Sequence, residues 1–328
     1  MALNQAEFIK EYLVKYPDLP THAMSKMIYN NHPLLFNSLE NIRSIIRYHR
    51  GQNGKRNMLK DKTHMKELTY DSNPFKFPDS YKQETKIFNC PIKYSRVGIL
   101  TDIHAPYHSV EAIEAALIYL RDVYKATGIL LLGDLMDFNK ISRWESEPDK
   151  PTTVKEFEVG RQILRIIRDV FPDALIIWAT GNHDRRWEQY LLNKAPEIFG
   201  DPDFTLSVRM KTDELNIQVI NENSIIKLGR LNATHGHKLK GANNAQTLLN
   251  KTNVDSVMGH IHKDTEFTKV AMDGSHVTCY TVACLCELNP TYNPFANQYR
   301  QGFATCTILN ESDYEFDNKR IINGKIVR

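Results

Sequence analysis

The stretch RVGILTDIHAPYH, Arg96 to His108, opens as an apolar run and closes on aspartate and histidine. Val97, Gly98, Ile99 and Leu100 leave no polar position between them, which marks a strand covered on both faces. The pattern then repeats along the chain. SVEAIEAALIYLRDVYKAT (109–127) has helical spacing, GILLLGD (128–134) is a second two-faced run, TVKEFEVGRQILRIIRDVF (153–171) a second helix, and ALIIWATGNHD (174–184) a third run. Short runs alternating with helices predict β-α-β units and a largely parallel sheet. The later runs LNIQVI, SIIKLGRLNATHGH, DSVMGHIH, EFTKVAM, HVTCYTV, FATCTIL and KRIINGKIV have less helix between them and predict a second, more antiparallel sheet. The fold class is α/β, a sandwich with some α+β character.

Each run ends in metal-binding residue types. Asp102 and His104 follow the first, Asp134 and Asp137 the second, and Asn182, His183 and Asp184 the third; His235 with His237, and His260 with His262, close two later runs. In open α/β sheets the carboxyl ends of the strands form the rim where ligands bind. One Asp-x-His is more often a turn residue beside a surface histidine, but five loaded rims in series predict a single convergent site. Imidazole with carboxylate and amide oxygen suits manganese, iron, zinc and similar ions better than the all-oxygen cages of calcium. This many donors allow two divalent ions, with manganese first and iron, zinc, nickel, cobalt or magnesium as alternatives.

The totals set the class. A chain of 328 residues, 41% hydrophobic, can bury a large core. It has no apolar run of the roughly 18 residues that a membrane helix needs, and its N-terminus MALNQAEFIKEYLVKYPD is charged where a signal peptide would be apolar. The expectation is a soluble cytoplasmic protein with no membrane partner. Its five cysteines fit a reducing compartment, and the C-x-C pair Cys284 and Cys286 reads as core thiols.

Net charge is +3, unevenly spread: residues 1–68 hold eleven Lys or Arg against six Asp or Glu, a local excess of +5. Apolar residues at helical spacing predict three short helices, in QAEFIKEYLVKYP, THAMSKMIYNN and NSLENIRSIIRYHRG, with Thr21 and Asn37 or Ser38 as candidate caps. A basic last helix makes residues 1–60 helix-turn-helix-like. Arg43, Arg47, Arg50, Lys55 and Arg56 are its candidate contacts to nucleic acid, DNA before RNA. The competing reading is a small bundle whose arginines only keep it soluble. Residues 61–92 read as a linker and 93–328 as the main domain.

With TDIHAPYH, LLGDLMDF, ATGNHD, THGH and MGHIH in this order from Arg96 to His262, the chain resembles the calcineurin-like metallophosphoesterases. The resemblance implies an αββα sandwich with a dinuclear metal centre. Asp102, His104 and His262 would hold one ion, Asn182, His235 and His260 the other, and Asp134 would bridge them. It also implies a metal-bridging hydroxide as nucleophile, His183 as general acid beside the leaving group, and Asp184 as the partner that orients His183. The chain reads GDLMDFN and GNHD where the family's protein phosphatases carry an arginine after the second aspartate and G-N-H-E, so protein phosphatase activity is disfavoured. DFNKISRW and GNHDRRWEQYL are similar to a group found in phage and bacterial genomes.

Three functions follow as expectations. The first is a phosphodiesterase or nuclease recruited to nucleic acid by the basic segment. The second is a phosphatase or phosphodiesterase of nucleotides or other small esters, and the third a DNA-binding regulator on a phosphoesterase scaffold. Arg143, Arg185 and Arg186 are candidate phosphate contacts because guanidinium pairs with phosphate in bidentate fashion. Lys238 and Lys240 also lie within a few residues of a motif, Trp144 and Trp187 are candidates to stack on a base, and His108 and His237 are further candidate ligands or substrate contacts.

Overall fold

The computed structural model describes residues 5–51, 77–78, 80–81, 85–143, 148–239, 244–290 and 297–327. The chain divides into two compact units, Met1–Lys82 and Gln83–Arg328.

In the first unit, helices Gln5–Lys15, Thr21–Asn31 and Leu39–His49 close around Ile9, Met24, Ile28, Phe36, Ile42 and Ile46. Ser38 caps the third helix by accepting a hydrogen bond from the Asn41 amide, and Gly51, at φ +84°, lets the chain turn away after it. Thr21 is not a cap: the second helix starts behind Pro20 with no side-chain cap. Arg50 donates to Thr21 Oγ1 and to the carbonyls of Pro17 and Leu19, tying the third helix to the turn between the first two.

The second unit is built on two sheets. Its strands are β1 (Ile87–Asn89), β2 (Arg96–Leu100), β3 (Gly128–Leu132), β4 (Leu175–Ala179), β5 (Ile217–Ile220), β6 (Ile225–Leu228), β7 (Leu231–Thr234), β8 (Ser256–Met258), β9 (Thr265–Val270), β10 (His276–Thr281), β11 (Gln301–Asn310), β12 (Asp313–Ile322) and β13 (Lys325–Ile326). One sheet runs β13-β12-β11-β2-β3-β4-β5 and the other β1-β6-β7-β8-β10-β9. The β2-β3-β4-β5 core is parallel, as the alternating runs and helices predict.

Two expectations are corrected here. The second sheet is mixed: β1–β6, β7–β8 and β8–β10 are parallel, while β6–β7 and β9–β10 are antiparallel. The late runs FATCTIL and KRIINGKIV return to the first sheet, where β11 lies antiparallel to β2 with Cys306 opposite Val97. The linker also ends before residue 92, because Ile87–Asn89 pairs with Ile225–Lys227 and Phe88 packs into the core between the sheets.

Alternation along the strands makes the layers. Val97, Ile99, Leu130, Leu132 and Ile177 meet Ile226, Leu228, Ala233 and Val257 between the sheets. Leu100, Leu131, Ile176 and Trp178 face the other way, under Ile113, Ala116, Phe157, Leu164 and Ile167 of helices Val110–Ile118 and Thr153–Val170. Leu248 and Leu249 of helix Asn244–Thr252 cover Met258 and Cys279 on the outer side of the second sheet. The order is helix, sheet, sheet, helix, and the carboxyl ends of β2, β3, β4, β7 and β8 carry the polar clusters.

Candidate metal centre

The chain turns sharply at each of these strand ends. Asp102, His104, Asp134, His260 and His262 all have positive φ, between +51° and +71°. A non-glycine residue in this left-handed region costs roughly 1–3 kcal/mol and persists where surrounding structure imposes it. Two glycines make the approach possible. A Cβ on Gly181 would run into Asp134, and one on Gly259 would run into Thr101 and the Asp102 carboxylate. Gly259 is therefore needed directly before His260, because the Asp102 carboxylate occupies that space.

The side chains converge. Asp102 Oδ2 accepts from Thr101 Oγ1 at 2.6 Å and from the His260 amide at 2.9 Å. Its Oδ1 lies 3.2 Å from His262 Nε2 and 3.8 Å from His104 Nε2, with no hydrogen bond of good geometry, although it is buried. The two imidazole nitrogens His104 Nε2 and His262 Nε2 are 3.2 Å apart. Asp134 Oδ1 accepts from the His183 amide at 2.8 Å, while its Oδ2 lies 3.1 Å from His235 Nε2 and 3.9 Å from His104 Nε2. Asn182 Oδ1 is 3.2 Å from His235 Nε2. The donor sets Asp102/His104/His262 and Asp134/His235/His260 each gather within 4.8 Å.

Outer contacts aim the rings. His235 Nδ1 meets the Leu132 carbonyl at 2.9 Å, and His104 Nδ1 meets Asp137 Oδ1 at 3.0 Å. In both rings Nε2 is thereby turned inward, the arrangement that fixes the tautomer of metal-binding histidines. Two facing imidazole nitrogens and a buried carboxylate oxygen lacking a donor fit a cation, which would take lone pairs from all three. All seven residues of the expected ligand set lie in this one cluster.

Electrostatics follow from the crowding. Burial pushes Asp102 up, but His262, His104 and His235 outweigh it and hold the carboxyl well below its usual range. Burial disfavours charge on His235 and His262 too, yet Asp134 and Asp102 raise them to about 9 and about 10. His237, half-buried beside His235 and His260, is lowered to about 4, by burial first. His183 is lowered, by burial first, against the pull of Asp134.

His183 stands at the edge of the cluster, its Nδ1 3.0 Å from Asp137 Oδ1 and its Nε2 3.1 Å from Arg186 Nη2. The expected pairing of His183 with Asp184 is corrected. Asp184 accepts from the amides of Gly181 and Met136 and from Trp178 Nε1, so it braces the turn while Asp137 serves the imidazole. Arg186 also donates to the Asp137 carbonyl at 2.7 Å. Arg185 is instead paired with Glu222 at 2.9 Å.

The other candidates fall in different places. His237 lies with its ring 5.9 Å from that of His235. His108 bridges to Cys286 through the backbone, and its buried Nδ1 has no partner among the described residues. Arg143 is exposed at the end of a described segment. Trp187 donates to the Phe204 carbonyl and packs against Phe157, which is a packing role. In the first unit Arg43 and Arg47 share Glu40, and Arg50 is spent on the turn. Lys55, Arg56, Trp144 and Lys240 lie outside the described residues.

Sequence reading placed Asp137 in the second polar cluster without pairing it to an imidazole, read Cys284 and Cys286 as core thiols although Cys286 Sγ lies 3.8 Å from His262 Nδ1, and passed over Tyr299, whose ring lies 4.4 Å from that of His262. Asp137 was visible three residues after Asp134, but which of several aspartates meets an imidazole depends on the loop.

A family model described as calcineurin-like phosphoesterase matches residues 95–264. No curated protein is matched. Among solved structures, the crystal structure of the Pseudomonas putida nuclease MPE aligns at 14% identity with a TM-score of 0.31, covering 67% of this chain and 87% of that one.

Proposed function

The chain belongs to the calcineurin-like phosphoesterase family, and from that premise we propose that it is a divalent-metal-dependent phosphodiesterase acting on nucleic acid. The observation that carries the reading is the convergence of Asp102, His104, Asp134, Asn182, His235, His260 and His262 from two sheets on one cluster. Asp102, His104 and His262 would hold one ion, and Asn182, His235 and His260 the other. Asp134 lies between them, its Oδ2 reaching toward both His104 and His235. Bound divalent ions of this kind supply a water acidified toward neutral pH and positive charge opposite the phosphate.

The chain's own groups do the rest. Once Arg186 has left Nε2 and that nitrogen has taken up a proton from solvent, His183 would pass it to the departing oxygen, while Asp137 holds the Nδ1–H side of the ring. Arg186, now resting on that same Nε2, yields it to the substrate and turns its guanidinium to the phosphate oxygens. The excess of +5 in residues 1–68 supports a polyanionic substrate.

A second reading, hydrolysis of nucleotides or other small phosphate esters, is favoured by one observation: Arg43, Arg47 and Arg50 are engaged within the first unit. Parallel Mn²⁺-supplemented assays on labelled DNA, labelled RNA and bis(p-nitrophenyl) phosphate decide between them. Cleavage of a polynucleotide supports the first, turnover of the small diester alone supports the second, and no turnover of any phosphate ester overturns both.

A further inference from the structure

We propose that His262, Cys284 and Cys286 form a separate, thiol-rich metal site that takes a thiophilic divalent ion such as zinc or cadmium. The three donor atoms gather within 4.8 Å of one another, and all three residues are buried. Cys286 Sγ lies 3.8 Å from His262 Nδ1. Sulfur at about 2.3 Å and nitrogen at about 2.0–2.1 Å on one tetrahedral ion sit roughly 3.5 Å apart, so this spacing is close to that of a bound pair. His262 thus has two faces: Nε2 turns to Asp102 and His104, and Nδ1 turns to sulfur.

The C-x-C spacing does structural work here. Cys284 and Cys286 send their thiols to one side, while Leu285 between them packs into the core on the other. The segment is pinned on both flanks. Cys284 bridges to Gln301, Cys286 bridges to His108, and the Leu285 amide donates to the Asp102 carbonyl. Two thiols and an imidazole held in this way form a soft donor set, which selects zinc-like ions over the harder manganese or magnesium. Uptake converts both thiols to thiolates and releases their two protons to solvent, together with any proton on Nδ1.

The site shares His262 with the dinuclear centre but stands on donors that the proposed hydrolysis does not use, so the two readings fail separately. The test is a Co²⁺ titration of the full chain in a non-thiol reductant, with bound ions counted after desalting. Expected is a sulfur-to-cobalt charge-transfer absorption, with one more ion retained than in a Cys284→Ser/Cys286→Ser variant, which loses the absorption. On the wild-type chain, at a urea concentration where the metal-free protein is alkylated at both Cys284 and Cys286, saturating Cd²⁺ should shield the two thiols, mapped by mass spectrometry, so that the assignment does not depend on the variant folding. Absence of the absorption in the wild type, its survival in the double variant, or alkylation of both thiols at saturating Cd²⁺ overturns the proposal. Failure of Mn²⁺ to bind would instead count against the dinuclear reading and leave the cobalt–sulfur signal untouched.

Discussion

His183 and Asp137 show how one loop residue can serve two jobs. A single oxygen, Asp137 Oδ1, lies 3.0 Å from both His104 Nδ1 and His183 Nδ1, one a proposed ligand and the other the proposed acid. His183→Ala should leave Mn²⁺ binding intact and lower kcat by about 10²- to 10⁴-fold, the usual worth of a positioned general acid. Asp137→Asn should do both kinds of damage, weakening metal affinity by about 10- to 100-fold as outer partners of ligands do and lowering turnover at saturating Mn²⁺. Calorimetry alongside kinetics separates the two; an Asp137→Asn enzyme with wild-type affinity would remove its link to His104. A proton and a cation compete for the inward nitrogens of His235 and His262, which their carboxylate neighbours raise to about 9 and about 10. Mn²⁺ affinity should therefore climb as pH rises from 7 toward 9, with proton release measurable in buffers of different ionisation enthalpy.

Helix Thr153–Val170 carries the clearest liability among the elements. Its Glu156 is buried beneath the loop after β3, where one oxygen accepts from the Asn139 amide at 3.0 Å and the other has no hydrogen-bond partner among the described residues. Burial raises its pKa from 4.5 to about 7, with Asp137 adding to the rise. A raised carboxyl favours the folded state in its protonated form. That contribution is whole below about pH 4.5 and is lost as pH climbs through about 7. Glu156→Gln should thus be more stable than wild type above pH 8, by roughly 2–3 kcal/mol at most, and nearly equal to it at pH 4; urea melts at both pH values check this. The helices and the parallel core were legible because β3 and β4 are covered on both faces: Leu130 and Ile177 turn inward, Leu131 and Trp178 outward, and so the runs lack alternation. β1 was not legible, since three residues in polar text are too short to show a period. FATCTIL read clearly as a strand, yet its partner β2 lies some 200 residues earlier, a pairing that no local pattern encodes. The proposed ligand set was legible because each strand end carries Asp, Asn or His, whereas the Asp137 contact depends on how a loop folds back.

At the scale of the molecule, two units with separate cores make separable predictions. If residues of the first unit recruit nucleic acid, affinity of the full chain should fall steeply with salt, by a log-log slope of about −0.9 per phosphate neutralised on duplex DNA. A flat response would favour the small-ester reading. Mn²⁺ at about a hundred times its Kd should stabilise the fold by about 2.7 kcal/mol, reversed by chelation in a thermal melt. Asp102, His104, Asp134 and Asn182 follow strands of one sheet, and His235, His260 and His262 follow strands of the other. Cations gripped by both halves would act as rivets through a laminate. Starving the protein of them would let the plies part along their shared rim while each ply stayed whole, so deuterium should enter the facing tips of β2, β3, β7 and β8 before it reaches the outer helices.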